Sequence, residues 1–305
     1  FSNQNREEGL AYLHSCSTPI VLKADGLAAG KGVIITRDRQ EAIESFNSML
    51  DGLFGSAGSK VVIEQFLEGQ EFSMFALTDG KNHKLLPEAK DYKRIGDGDT
   101  GLNTGGMGAA SPVALADSAF MKKVDTQVIK PTIEGLKKEN IPYKGFIFIG
   151  LMNVNGEPWV IEYNARMGDP ETEAVLTRIE SDLVELLAAC ANGELKDKTI
   201  SIANDYAVTV VMASGGYPNE FEKGKVISGL EHSEKSYAFH AGTATLNNRV
   251  VTNGGRVLAV TGNGNTLTEA SENAYKCVSK ITWDGVYFRK DISQDLKRVE
   301  NDLNP

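Results

Sequence analysis

The stretch Val160-Ile161-Glu162-Tyr163-Asn164-Ala165-Arg166-Met167-Gly168-Asp169-Pro170-Glu171-Thr172 most constrains what this chain can fold into. It reads as a strand running into a helix, with polar groups at fixed offsets. Side chains alternate on a strand, so Val160, Glu162 and Asn164 are expected on one face, and Ile161 and Tyr163 on the other. A carboxylate and an amide carbonyl two residues apart are hard oxygen donors, suited to a magnesium ion shared with nucleotide phosphates. Arg166 follows with a planar guanidinium matched to phosphate or carboxylate. Asp169 is expected to cap a helix opening at Pro170, whose first N–H groups face an anion. The plainer reading is a strand end and a capped helix with Glu162 solvated.

Composition narrows the partners. A chain of 305 residues has room for two or three domains. A formal net charge of −9 argues against nucleic acid or an anionic membrane as the main partner. A local basic pocket for a phosphorylated small molecule stays compatible with it. Cys16, Cys190 and Cys277 are far apart and form no C-x-x-C pair, and His14, His83, His232 and His240 show no metal-ligand spacing. No disulfide framework or zinc site is implied, and a reducing cytoplasm fits. No run of about 18 apolar residues and no signal peptide is present. The chain opens on Phe1 rather than Met, which reads as a fragment or a processed form.

Residues 3–16 read as a helix, and Ile20–Ala24 as a strand. Asp25-Gly26-Leu27-Ala28-Ala29-Gly30-Lys31-Gly32 then forms a glycine-rich turn leading into a strand at Val33-Ile34-Ile35. A Walker A loop needs four residues between its glycines, then Lys-Ser/Thr and a helix. Here three residues separate Gly26 and Gly30, Gly32 follows Lys31, and the next element is a strand. A hairpin with backbone donors and one lysine at its tip remains, able to fold over a triphosphate; an ordinary hairpin turn is the plainer alternative. Residues 38–50 read as an amphipathic helix capped by Asp38. From Val61 the chain reads as a strand, a short crossing segment and a second strand through Met74-Phe75-Ala76-Leu77, presenting Glu64 toward an adenine edge and Glu71 toward ribose hydroxyls, or simply two surface carboxylates. Residues 87–112 read as a long polar loop whose basic spot, Lys90, Lys93 and Arg94, faces phosphate or solvent, with Asp91 nearby. A helix at 117–139, a doubly buried strand at 146–152 and one continuous helix from Pro170 to Ala191 come next. From about residue 195 a further unit of strands and one helix carries no catalytic constellation.

The order of these pieces resembles the ATP-grasp superfamily. The wording of four of them resembles the glycinamide ribonucleotide synthetase (phosphoribosylamine–glycine ligase) family over nearly the whole chain. They are Lys23-Ala24-Asp25-Gly26-Leu27-Ala28-Ala29-Gly30-Lys31-Gly32, Asn103-Thr104-Gly105-Gly106-Met107-Gly108, Gly168-Asp169-Pro170-Glu171-Thr172 and Asn253-Gly254-Gly255-Arg256-Val257-Leu258. The resemblance implies an α+β, ATP-grasp architecture. Residues 1–64 would be a lid subdomain, 65–193 a central subdomain with the metal site, and 194–305 a C-terminal domain of mixed sheet and helix. It also implies a cytoplasmic enzyme that joins glycine to 5-phosphoribosylamine at the expense of ATP, through glycyl phosphate. Another carboxylate–amine ligase or a non-catalytic nucleotide-binding module are the alternatives. By the same resemblance Lys23, Gly26, Gly30, Lys31, Gly32, Glu64, Gln65, Leu67 and Glu71 would hold ATP. Glu162 and Asn164 would bind Mg2+ or Mn2+. Arg166, Asp169 and Glu171 would serve catalysis, and Asp91, Lys93, Arg94, Asp169 and Glu171 the two substrates. An N-terminal phosphoribosylamine-binding domain of the family is not in this sequence, so the isolated chain is expected to be weak or inactive.

Overall fold

A computed structural model describes residues 1–28, 32–114, 116–230 and 235–303, apart from the side chains of 300–303. The chain divides into two units, Phe1–Glu68 and Gly69–Pro305.

In the first unit, α1 (Arg6–Ser15) and α2 (Arg39–Ser48) accompany β1 (Ile20–Ala24), β2 (Val33–Thr36) and β3 (Val61–Gln65). The strands form an antiparallel sheet in the order β2-β1-β3. Asp38 caps α2 by accepting from the Glu41 N–H, as its sequence implies. Leu13, Ile20, Leu22, Ala42, Phe46, Met49 and Val61 form this unit's own core. Gly9 lets the two helices close up, since a Cβ there would lie 2.5 Å from the Phe46 ring.

The second unit begins with β4 (Gln70–Thr78), β5 (His83–Leu85), β6 (Lys90–Asp91), β7 (Arg94–Gly96), β8 (Thr100–Asn103) and β9 (Gly108–Ser111). Next come α3 (Ser118–Val124), α4 (Lys130–Lys138), β10 (Gly145–Val154), β11 (Glu157–Asn164), α5 (Glu171–Val175) and α6 (Leu183–Asn192). It closes with β12 (Tyr206–Ser214), β13 (Ser236–His240), β14 (Thr243–Leu246), β15 (Arg249–Thr252), β16 (Arg256–Gly264), α7 (Leu267–Val278), β17 (Val286–Tyr287) and α8 (Gln294–Leu303). Two sheets organise it. One is four-stranded, β11-β10-β4-β5; the other follows β13-β16-β12-β9-β6, with β17 paired to β12. One face of the first sheet, through Phe72, Met74, Ile147, Ile149 and Leu151, joins a core shared with Val124, Ile129, Val208, Val210 and Val260. Phe75 and Phe148 on its other face pack edge to face with ring centroids 5.4 Å apart, beside Val175.

Two expectations need correction. Residues 87–112 are not a loop: β6 and β9 are strands of the larger sheet, and β7 and β8 make a hairpin. Buried Arg289 pins that hairpin by donating to the Arg94 carbonyl and the Asp99 carboxylate while also pairing with Asp291. The expected helix from Pro170 to Ala191 is two helices. α5 ends at Val175, Ile179 is extended and bridges Ile202, and Asp182 starts α6 by capping the Glu185 N–H. The apolar spacing of 175, 179, 183 and 186 imitates a continuous helix because Val175 and Ile179 pack beside Phe75, and Leu186 beside Leu77, on one face of the four-stranded sheet. The terminal helix α8 was not foreseen; its inward residue Leu296 is buried.

Candidate functional site

The face of the four-stranded sheet beyond Phe75 and Phe148 carries the polar groups. Directly paired residues of antiparallel strands point the same way. Gly150 of β10 pairs with Glu162 of β11 on one side and with Ser73 of β4 on the other. Glu162, Gly150 and Ser73 therefore form a row across three strands, about 10 Å from end to end. Asn164 and Glu71, each two residues along its strand, share that face. Gly150 leaves the middle of the row bare: a Cβ there would stand 3.0 Å from the Glu162 Cγ.

The expected alternation of β11 holds for Glu162 and Asn164 but not for Val160. The register shifts between Gly150 and Leu151, with Leu151 opposite Val160, so Ile161 is an extra, bulged residue and Val160 turns to the opposite face. The Tyr163 hydroxyl meets Thr132 Oγ1 at 2.9 Å, on that opposite side. The Asn164 amide lies 3.5 Å from Glu162 Oε1, so the two side chains converge. Two oxygen-bearing groups beside a bare glycine fit a hard divalent cation that takes its other ligands from phosphate and water. Among the described residues no group of three or more His, Cys, Asp or Glu forms a cage that would replace such ligands.

At the other end of the row, Ser73 Oγ donates to Glu171 Oε1 at 2.9 Å. Both groups are buried, Glu171 at 3% exposure. Burial, with Asp91 adding repulsion, pushes the Glu171 carboxyl up to about 7; Ser73 and Lys93 oppose the rise. Gly168 makes room for it, because a Cβ there would lie 2.5 Å from the carboxyl carbon. Lys93 Nζ pairs with Asp91 at 3.0 Å and with Glu71. Burial works against the Lys93 charge, but these two carboxylates outweigh it and raise its pKa. The structure thus brings Glu71, Asp91, Lys93 and Glu171 together. Arg94 lies outside that network, exposed, donating to the Gly101 carbonyl.

Asp169 is not a helix cap. Its carboxylate takes both arms of Arg256, at 2.8 and 2.9 Å, and the helix opens one residue later than expected, at Glu171, with Pro170 in the cap position and no side-chain cap. Arg256 also donates to the Gly105 carbonyl at 2.7 Å, and the Gly105 N–H donates to the Tyr217 hydroxyl. A Cβ on neighbouring Gly106 would meet Pro170 Cδ at 2.5 Å, at a φ of +113°. Two of the glycine-bearing motifs are thereby joined through one guanidinium. Arg166 is exposed and donates to the Met167 carbonyl.

In the first unit, Lys23 and Glu64 form an ion pair of 2.6 Å across the β1–β3 ladder, where Lys23 stands opposite Val62 and Val21 opposite Glu64. Gly26 packs against Ala57, whose carbonyl accepts its N–H, and a Cβ there would come within 2.5 Å of Ala57 Cα. The Gly32 carbonyl accepts from the Ala24 N–H. Gln65 is exposed at the end of β3, and Leu67 is half-buried just beyond it. Gly30 and Lys31 lie outside the described residues.

Ser73, Gly150 and Arg256 were assigned no role from sequence. Ser73 had a signal, two residues beyond Glu71 on the same strand. Arg256 had none locally, since its partner Asp169 is 87 residues away.

Comparison with known proteins bears on the family of the chain. The model of the phosphoribosylglycinamide synthetase ATP-grasp (A) domain matches residues 1–172, and that of the phosphoribosylglycinamide synthetase C domain matches 207–295. A phosphoribosylamine–glycine ligase of Vibrio cholerae is 48% identical over 290 residues, 94% of this chain and 68% of the relative. The crystal structure of a phosphoribosylamine–glycine ligase from Thermotoga maritima superposes with a TM-score of 0.87 at 41% identity, over 94% of this chain and 72% of that one. A biotin carboxylase from Campylobacter jejuni, solved as a β-γ-ATP complex, shares only the fold: 13% identity and a TM-score of 0.70 over 93% of this chain and 62% of that one. With both family models matched in order along it, the chain belongs to the phosphoribosylglycinamide synthetase family.

Proposed function

We propose that the chain carries the ATP-dependent ligation of glycine to 5-phosphoribosylamine, giving glycinamide ribonucleotide, ADP and phosphate. The chemistry needs two displacements. A carboxylate oxygen of glycine attacks the γ-phosphorus and ADP leaves, which turns a poor acyl donor into an acyl phosphate. The amine nitrogen then attacks the acyl carbon, the C–O bond to phosphate breaks, and the nitrogen gives up a proton. Each step moves charge that must be neutralised in a site closed to water.

The observation that carries this reading is the row Glu162–Gly150–Ser73 with Asn164 and Glu171 at its ends. As an ATP-grasp ligase the enzyme uses ATP and a divalent metal; the finer proposal is Mg2+, or Mn2+ in its place. Glu162 and Asn164 would hold the metal, which when bound neutralises phosphate charge. Lys23, Gly26, Gly30, Lys31, Gly32, Glu64, Gln65, Leu67 and Glu71 are proposed for the nucleotide. Arg166 is proposed to steady the transferred phosphate. Lys93 is held charged between Asp91 and Glu71, which suits it to an anionic group of the phosphoribosyl substrate, with Arg94 beside it in sequence. Asp169, fixed by Arg256, and Glu171, fixed by Ser73, are proposed to orient the ammonium of glycine and the attacking amine. The cytoplasm remains the proposed location; among the described residues no helix is long and apolar enough to cross a membrane.

The test is ADP release from ATP and Mg2+ with glycine and fresh phosphoribosylamine, omitting each in turn. Release that requires both is expected, weak from this chain alone and raised when the family's N-terminal domain is supplied. Release indifferent to phosphoribosylamine, or replaced by release with other amines, would overturn the substrate assignment.

A further inference from the structure

At the far end of β4 from Glu71 and Ser73 lies a groove of about 320 Å³, lined by Lys81, Asn82, His83, Lys84, Lys130, Ile133, Glu134 and Lys196. Along β4, Thr78 is seven residues from Glu71, about 24 Å at the rise of a strand, so this groove is separate from the candidate site. Its lining holds four lysines and one glutamate, in a chain whose net charge is −9. Lys130 and His83 both engage Asp125, and Lys84 Nζ donates to the Lys196 carbonyl. Among the described residues, the ammonium groups of Lys81 and Lys196 make no ion pair.

The groove is built rather than accidental. Asp79, 3% exposed, accepts from the backbone N–H groups of Lys81 and Asn82 at 2.9 and 2.7 Å and from that of Leu195 at 3.2 Å. One buried carboxylate thus ties the β4–β5 turn, which carries Lys81, to the segment that carries Lys196. The Thr78 hydroxyl locks the same turn by donating to the Asn82 carbonyl. The cations are held on a braced frame before any ligand arrives, which reduces the ordering cost of binding.

We propose that this groove is a second anion site that takes a linked di- or triphosphate. Four lysines lining one groove from separate segments match a multiply charged, compact anion. Ile133 is the one large apolar side chain of the lining, and its single ring, the His83 imidazole, is engaged by Asp125. The volume lies at the small end of ligand pockets, enough for a phosphate chain with little attached.

The experiment is calorimetric titration of inorganic pyrophosphate into the chain in metal-free, low-salt buffer. It is repeated with the double variant Lys81→Ala/Lys196→Ala and with a charge-matched control, Lys137→Ala/Lys138→Ala, whose lysines are exposed near the end of α4. Saturable binding is expected in the parent and the control, about tenfold weaker in Lys81→Ala/Lys196→Ala. The affinity for Mg·ADP should be the same in all three, which separates this site from the nucleotide site. A parallel titration with ATP tells whether the bound phosphate chain is free or part of a nucleotide. No saturable binding of pyrophosphate, or equal weakening in both double variants, would overturn the proposal.

Discussion

Replacing Glu171 with Gln should make the second unit more stable above pH 7 and leave it nearly unchanged at pH 4.5. The carboxyl is 3% exposed, accepts from Ser73 and is pushed up to about 7 by burial and by Asp91. In the unfolded chain it titrates near its ordinary value of 4.5. Between those values the folded state holds a proton that the unfolded state has released. Stability from this group therefore falls as pH rises through 4.5 to 7 and stays lost above. At about 1.36 kcal/mol per pH unit, the gap is worth about 3 kcal/mol. Gln cannot ionise but still accepts from Ser73, so the variant escapes the whole pH-dependent part. Both tryptophans, Trp159 and Trp283, lie in the unit that carries Glu171, so their fluorescence reports its unfolding. For a unit of this size, with a urea slope of roughly 3 kcal/mol per molar, the variant's midpoint should gain about 1 M urea between pH 4.5 and pH 8 relative to the parent. A difference between the two midpoints that stays flat across that range would refute the argument that Glu171 is buried and charged at neutral pH.

Other consequences are open to direct measurement. Arg289→Met should cost about 3 kcal/mol in the same urea assay, because it strands Asp99 and Asp291 and releases the β7–β8 hairpin; a cost below about 1 kcal/mol would contradict the pinning role. Glu162→Gln should weaken nucleotide binding in Mg2+ by about tenfold or more while leaving metal-free binding and the urea midpoint alone, as read by displacement of a fluorescent nucleotide; equal affinity with Mg2+ would remove Glu162 from the metal site. Gly106→Ala, at a φ of +113° and within 2.5 Å of Pro170, should lower stability by about 1–3 kcal/mol, and a neutral thermal shift would show that the contact with Pro170 yields freely.

The pattern of the chain reveals its strands better than their companions. β10 and β11 were legible because apolar residues and a polar alternation survive in a single stretch, and the convergence of Glu162 with Asn164 follows from a period of two. The bulge at Ile161 was not legible, since an extra residue in a ladder leaves no mark on one strand read alone. The segment 87–112 looked like a loop because its strands are two to four residues long and rich in glycine; β9 is held by β12, far along the chain, and the β7–β8 hairpin is pinned by Arg289, farther still. The same distance hid Arg256. Asp169 beside Pro170 satisfied every local rule for a cap, and a guanidinium 87 residues away claimed the carboxylate instead.

β9 sits between β6 and β12, with Ala109 and Ala110 fully buried. Its partner β12 is translated roughly a hundred residues later, about 5–20 s at ordinary ribosomal speeds. Throughout that interval the nascent chain presents an apolar strand edge with nothing alongside, the kind of edge that recruits other chains. Synthesis order therefore gives this protein a window of vulnerability that the finished fold conceals. A stall or a cut between residues 193 and 206 would leave it permanently open.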